Sequence, residues 1–553
     1  MYGFTISYHS QSSTHHNIHD LSPSKKESCL KKSVIFGLSF LTGILLCAAW
    51  PVSPLTFLIF IAFIPLLYLA EKVQNKRTFA FLTYLAMLTW NVGATWWIWN
   101  STDVGSVAAF LANSLIMCLP WWGYRVFKRK FGQRIGYIAL ILFWMAFEYI
   151  HLNWQLSWPW LTLGNVFASH PNWVQWYEYT GTSGGTLWVI GLNIFLFELF
   201  TKYQNKRFKL KDTVVAIAVI VIPLVLSYLL IPKDQPNTQT ANVVMVQPNI
   251  DPYGKFATGL AEPQVKLLLS ITESAIDSNT RLVVWPETAL TGGNCFEDQL
   301  GNYQAYLPVF KFVQLHPNIT LQSGIEIYKN YGPVKATGTA RKFTNENAYY
   351  DDFNAAIALK AGDTIQYYHK SRLVPGVETL PTFLHFMAPV FEQFGGTTGG
   401  YGHQDESSIL QEAGQPYITA PIICYESIYG EYVSTYVQKG ANLLTIMTND
   451  GWWGNTPGHK QHLDYARLRA IETRRWVARS ANTGVSAVID NKGNIVETQP
   501  WDKPAFIKYN IPVSSELTFY VQHGDIISKV ALAFACLMLV WNLFVIARKR
   551  FGR

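Results

Sequence analysis

Apolar runs long enough to cross a bilayer recur eight times in this 553-residue chain, at 33–50, 54–70, 78–99, 106–124, 135–151, 183–201, 213–231 and 525–547. A hydrocarbon core of about 30 Å takes roughly 20 apolar residues per helix, and it offers no water to the backbone, so such segments have to be helical. Charge tests this assignment without using hydropathy. Lys25, Lys26, Lys31 and Lys32 precede the first run; Lys72, Lys76 and Arg77 follow the second; Arg125, Lys128, Arg129, Lys130 and Arg134 follow the fourth. Lys202, Lys206, Arg207, Lys209 and Lys211 follow the sixth, and Arg548, Lys549, Arg550 and Arg553 the eighth. The gaps 51–53, 100–105 and 152–182 hold no Lys or Arg. Basic loops stay in the cytoplasm, which predicts both termini inside and the long segment between the seventh and eighth runs outside.

Four units follow: a polar cytoplasmic tail (1–32), seven membrane helices (33–231), an outer domain (232–524), and a last helix with a basic tail (525–553). The net charge of +8 is spent on the clusters flanking the runs, so it predicts membrane topology and no nucleic-acid partner. The tail lacks the apolar core and cleavage site of a secretory signal, and His15, His16 and His19 within it do not predict a metal site. Trp96, Trp97 and Trp99, and Trp121, Trp122 and Tyr124, fit aromatic belts at the two interfaces. Loop 152–182 carries Trp154, Trp158, Trp160, Trp173, Trp176 and Tyr177; it is expected in the outer interface, walling a lipid entrance. A carrier would place several ionisable groups inside its spans. Here only Glu198, and Glu148 near a span end, qualify.

The outer segment changes character. Asn242–Gln247, Arg281–Trp285, Ile418–Cys424 and Asn442–Met447 read as buried strands, and Pro263–Ile276 and His459–Arg479 as helices. Their alternation predicts a layered α/β domain. Glu287 follows VVWP, Lys370 follows IQYYH and Cys424 follows APII, each where an apolar strand ends. Singly, such residues are ordinary: a solvated Glu, a loop Lys, a core Cys.

The surrounding strings VVWPETAL, YYHKSRLVPGVETLP and APIICYESIYG, with the later TNDGWWGNTPGHKQHLDYARLRAIETRRWVARSANTGVSAVID, resemble the signature segments of the nitrilase superfamily. Such a domain inserted before the last of eight spans, together with SWPWLTLGN in the membrane part, resembles the apolipoprotein N-acyltransferase family. The resemblance implies a multi-pass helical bundle carrying an extracytoplasmic α-β-β-α sandwich, in the inner membrane of a bacterium with the domain in the periplasm. It implies a Glu287, Lys370, Cys424 triad, and no metal or organic cofactor. The donor would be a phospholipid, and the acceptor the α-amino group of a lipoprotein's diacylglyceryl cysteine. It also gives Glu378 a role in holding Lys370, and Tyr425 and Glu426 roles in shaping and supporting the pocket. Phe256 stands where the family pattern leads to Trp; an aromatic contact survives that change and an indole hydrogen bond does not.

The chemistry asks for these residue types. A thiolate attacks an ester well and leaves well from a thioester. A free thiol is mostly protonated at neutral pH, so a base, Glu287, has to take its proton and return it to the departing alcohol. A cation, Lys370, stabilises the oxyanion with a backbone N–H after Cys424. The polar stretch between Ile327 and Asn347 reads as an enlarged loop. Phe383, Phe386, Met387, Phe391 and Phe394 read as a lid or membrane-contacting arm, or equally as a cover for the domain's own core. Three alternatives stay open: a membrane-tethered amidase or nitrilase in which water resolves the intermediate, a non-catalytic lipid-binding or transport protein, and a Cys295–Cys424 disulfide.

Overall fold

The computed structural model describes residues 31–233, 239–257, 259–291, 295–387 and 400–551. The histidine-bearing tail, Phe391, Phe394 and the side chains of Phe386 and Met387 lie outside the described residues. The membrane part consists of α1 (Lys32–Ala49), α2 (Ile64–Lys72), α3 (Lys76–Thr95), α4 (Asp103–Ile116), α5 (Cys118–Phe131), α6 (Gln133–Leu152), α7 (Tyr177–Gln204), α8 (Leu210–Leu229) and the C-terminal helix Ile526–Phe551. With α4 and α5 taken as one segment, six of these are long and apolar enough to cross a membrane. The second apolar run is not one helix. It is a 3-10 turn, Thr56–Phe60, followed by α2, which begins with Pro65 in its first turn, where a missing N–H leaves no bond unmade. The α8 and C-terminal helices turn Val214, Ile222, Leu229, Leu537 and Phe544 outward, as helices solvated by lipid do. Buried Glu148 is not a free charge in the bundle. It accepts from Trp144 Nε1 (2.9 Å), Leu163 N (2.8 Å) and Thr186 Oγ1 (2.7 Å), tying α6 to the following loop and to α7.

Between α8 and the C-terminal helix the chain forms β1 (Thr240–Gln247), β2 (Leu282–Val284), β3 (Thr320–Gly332), β4 (Arg341–Lys342), β5 (Tyr349–Leu359), β6 (Gln366–His369), β7 (Leu410–Gln411), β8 (Ile418–Ile423), β9 (Leu443–Thr448), β10 (Val477–Ala481), β11 (Ala487–Ile489), β12 (Ile495–Thr498) and β13 (Ala505–Pro512). One sheet is ordered β13-β1-β2-β3-β5-β4, with β6 on β5; the other is ordered β12-β11-β10-β9-β8-β7. Strands β1, β2 and β3 are mutually parallel, as are β8, β9 and β10. Such strands are buried on both faces. Val243 and Met245 of β1 face the second sheet, while Val244 and Val246 face helices α9 (Ala261–Ala275) and α10 (Leu307–Leu315). Across the sheet interface Gln322 Nε2 donates to Thr445 Oγ1 at 2.7 Å.

Two expectations change. The helix read as running to Arg479 is Pro457–Thr473; it stops because Arg474 turns left-handed (φ 52°), and Val477–Ala481 after it form β10. The polar stretch after Ile327 is in part strand, since β3 continues to Gly332 and β4 returns.

The helices Gly430–Gln438 and Pro457–Thr473 cover the second sheet, and the latter is also pressed against the bundle. Its sequence is polar, yet it is buried nearly all round because the bundle meets its polar atoms. Trp50 Nε1 donates to Tyr465 OH (3.1 Å), Tyr465 OH to Trp160 O (2.8 Å), Gln461 Nε2 to Ala94 O (3.1 Å) and Ser169 Oγ to Asp464 Oδ2 (2.6 Å). The aromatic loop 152–182 is therefore a buried seat for the domain: Trp160 packs on Trp97, Trp453 and Tyr425. At Gly458 a Cβ would come within 2.5 Å of the Trp97 ring. Gly458→Val is expected to destabilise the protein by about 1–3 kcal/mol through overpacking, read as a lowered melting temperature of the detergent-solubilised full chain.

Candidate active site

Glu287, Lys370 and Cys424 follow β2, β6 and β8, and Asp450 follows β9. Strand β6 is antiparallel to β5, which is antiparallel to β3, so β6 runs in the sense of β2 and the two strands deliver their last residues to the same edge. Glu287 is held flat against β3: a Cβ on Gly324 would sit 2.5 Å from Pro286 O and 2.7 Å from the Glu287 Cα. Only glycine lets the two backbones meet so closely.

Lys370 is 1% exposed and is clamped between two carboxylates. Its Nζ lies 2.8 Å from Glu378 Oε1 and 3.2 Å from Glu287 Oε1. Asn354 Nδ2 donates to the same two oxygens, at 3.0 and 2.8 Å, and Val374 N donates to the other oxygen of Glu378 at 2.8 Å. Burial works to lower the Lys370 ammonium, but Glu378, Glu287 and Cys424 reverse this and hold it above the usual lysine range. It is a fixed cation.

Cys424 occupies the left-handed region (φ 48°), a conformation costing a non-glycine residue of order 1 kcal/mol that surrounding contacts have to sustain. Two buried carboxylates supply them. Glu426 accepts from Ile423 N (2.8 Å), Ser371 N (2.8 Å), Arg372 N (3.1 Å) and Tyr368 OH (2.5 Å), so one side chain holds both the turn at Cys424 and the loop after Lys370. Burial pushes its carboxyl up. Behind the turn, His462 places Nε2 3.1 Å from Cys424 O and Nδ1 2.9 Å from Asp450 Oδ1, and Arg479 Nη2 donates to Asp450 Oδ2 at 2.7 Å. Burial works to raise the Asp450 carboxyl; Arg479 and His462 hold it well below the carboxylate range.

The Cys424 thiol is 7% exposed. Burial pushes it above the ordinary thiol range, the charge of Glu287 adds to this, and Lys370 opposes it. The resting group is a thiol. Tyr425 points the other way, donating to Ser157 O at 3.0 Å against Trp160 at the seat. Phe256 is partly exposed, with Lys255 Nζ 5.5 Å from its ring centroid. Cys295 and Cys424 are both free and lie in different cores, Cys295 outside the first sheet and Cys424 between the sheets and the bundle; no disulfide joins them. Phe383 is exposed in the turn Thr382–Met387.

Five residues escaped the sequence reading: Lys255, Asn354, and the His462–Asp450 pair with Arg479. Lys255 is buried and donates to Glu287 O (3.1 Å) and Thr288 Oγ1 (2.7 Å); burial lowers it to about 8, against the pull of Glu287 and Glu326. For Asp450 a signal existed, since it ends the apolar strand LLTIMT much as Glu287 ends VVW. Nothing local marks Asn354 inside β5.

The two packed sheets fall in a carbon-nitrogen hydrolase domain: the family model of that description matches residues 242–516. A second model, the apolipoprotein N-acyltransferase N-terminal domain, matches residues 42–195. An apolipoprotein N-acyltransferase of Chlorobaculum tepidum is 32% identical over 90% of this chain and 95% of its own. One of Geobacter metallireducens is 25% identical, covering 91% and 94%. A crystal structure of an amidase from Nesterenkonia sp. aligns with 52% of this chain and 94% of its own, at 16% identity and a TM-score of 0.34. The chain belongs to the apolipoprotein N-acyltransferase family.

Two outcomes follow from the geometry. Because the Cys424 thiol is raised, its thiolate fraction is small at neutral pH, so carbamidomethylation of Cys424 should rise about tenfold per pH unit from pH 7 to 9 without a plateau. Peptide mass spectrometry reads it. Asp450→Asn strands a buried guanidinium and is expected to cost about 3–5 kcal/mol of stability, measured as a fall in melting temperature.

Proposed function

We propose that Cys424 carries the acyl group between a phospholipid and a lipoprotein. In the first half-reaction Sγ attacks the ester carbonyl of the phospholipid. Glu287 takes the thiol proton as the S–C bond forms and hands it to the departing alcohol, leaving a thioester and a lysophospholipid. In the second, the α-amine of an S-diacylglyceryl cysteine attacks the thioester, Glu287 accepts a proton from the amine, and the thiol is regenerated as the amide forms. Lys370 and the Tyr425 N–H stabilise the oxyanion in both steps, and Glu378 keeps Lys370 charged and oriented. Tyr425 and Glu426 shape and support the pocket, and Phe256 is an aromatic contact at its mouth.

The observation that carries this reading is the buried thiol within electrostatic reach of a lysine clamped by two carboxylates. A raised thiol needs a base that acts as the bond forms, and a carboxylate tied to that lysine is within reach. The domain's mounting on an aromatic seat continuous with the bundle favours lipid substrates over soluble ones. The relatives' name, apolipoprotein N-acyltransferase, supports an amine of an apolipoprotein as the acceptor. We assign 1–32 to the cytoplasmic side, 33–231 and 525–553 to the bundle and its basic tail, and 232–524 to the periplasm of a bacterial inner-membrane protein; the alternation of basic loops supports that orientation.

Purified full-length protein incubated with a phospholipid bearing a labelled acyl chain should gain one acyl mass on Cys424, and a diacylglyceryl-cysteine peptide should discharge it as acylated peptide. Cys424→Ala should gain none. Release as free fatty acid, with no acylated peptide at any acceptor concentration, would show that water resolves the intermediate.

A further inference from the structure

Every arginine of the α/β domain but one donates its guanidinium to a backbone carbonyl or a carboxylate among the described residues. The exception is Arg372, two residues beyond Lys370. Its backbone N–H is fixed by Glu426 at 3.1 Å, but among the described residues its Nε is buried without a hydrogen-bond partner and no ion pair reaches it. The guanidinium instead lies over two rings, 5.0 Å from the centroid of Tyr432 and 5.9 Å from that of Tyr429. A cation flat on aromatic faces is partly desolvated while its N–H edge stays free, the arrangement in which arginine takes a phosphate bidentately.

The place matters as much as the vacancy. Tyr429 OH is 2.6 Å from Ser157 Oγ, in the loop leaving α6. Glu431, adjoining Tyr432, pairs at 2.6 Å with Lys529 in the first turn of the C-terminal helix. Arg372 therefore lies beside the places where the ends of two membrane helices meet the domain. It is fixed to the Lys370 loop by Glu426, the residue that also holds the turn at Cys424.

We infer that Arg372 docks the phosphodiester of the glycerophospholipid acyl donor, setting the ester carbonyl over Cys424. This rests on the phospholipid-donor reading above. It makes Arg372 a substrate-binding residue whose partner is the phosphate and not the acyl chain.

The test compares two donors of one fatty acid on the full-length protein: a phospholipid, and a p-nitrophenyl ester that lacks phosphate. Acyl-thioester formation on Cys424 is followed by intact mass against donor concentration. For Arg372→Gln, the phospholipid concentration giving half-maximal rate should rise about tenfold or more, as loss of a charge-assisted pair implies. Arg372→Lys should recover part of this. With the p-nitrophenyl ester, wild type and Arg372→Gln should react alike, which also shows that the variant is folded. Equal losses with both donors, or no change with the phospholipid, would overturn the assignment. A wild type acylated by the p-nitrophenyl ester and by no phospholipid would overturn the donor reading and this inference with it.

Discussion

The buried carboxylate of Glu426 is the interaction on which the rest of the site depends. The two sheets present their functional residues from different strands, and packing of Val, Ile and Leu faces alone leaves the loops at the strand ends free to shift. Glu426 removes that freedom by accepting from Ile423 N on one sheet and from Ser371 N, Arg372 N and Tyr368 OH on the other. Burying a carboxylate is costly unless it is fully hydrogen-bonded. Once it is, any relative movement of the two loops breaks bonds in a medium of low dielectric, where they are strongest. Glu426 thus ties the left-handed turn at Cys424 to the loop after Lys370, while His462 and Asp450 support the turn from behind.

The same economy governs the charges. Lys370 carries two carboxylates on one ammonium, and Asn354 bridges both, so the cluster has a net negative character next to a thiol. That explains why the thiol is raised despite the nearby lysine: burial and Glu287 act in one direction, Lys370 in the other. A site of this kind stores its nucleophile as a neutral group. On the mechanism proposed above, that group reacts when a substrate carbonyl arrives at Cys424.

How much of this was legible in the sequence follows from the range of each constraint. The long helices are dictated by length and hydropathy, which are local, and they were read within a few residues. The second run failed because one proline, Pro65, sets where a helix can begin, and hydropathy takes no account of it. Glu287, Lys370 and Cys424 were visible because each ends an apolar strand inside a distinctive string, and the sheets bring Glu287 and Lys370 into contact. Asn354 was invisible because its partners Glu287 and Glu378 are 67 and 24 residues away and its own strand is unremarkable. The part of the aromatic loop that seats the domain was not legible for a related reason: tryptophans that suit a lipid interface suit a protein interface equally well. The polar helix Pro457–Thr473 looked exposed because the acceptors that satisfy it belong to the bundle.

That doubly buried helix bears on how the protein is made. Its outward face, and those of Trp453 and Tyr425, complete a core whose other half is α1, α3 and the 152–182 loop. Cut from the bundle, the domain would carry an uncovered aromatic face, an aggregation liability. Chain order resolves the difficulty. The seat is encoded first and leaves the ribosome before the domain that sits on it, and domains form largely in the order of synthesis. Membrane insertion therefore supplies a finished template for the soluble layers, and the C-terminal helix, packed against α6, is translated last and closes the assembly.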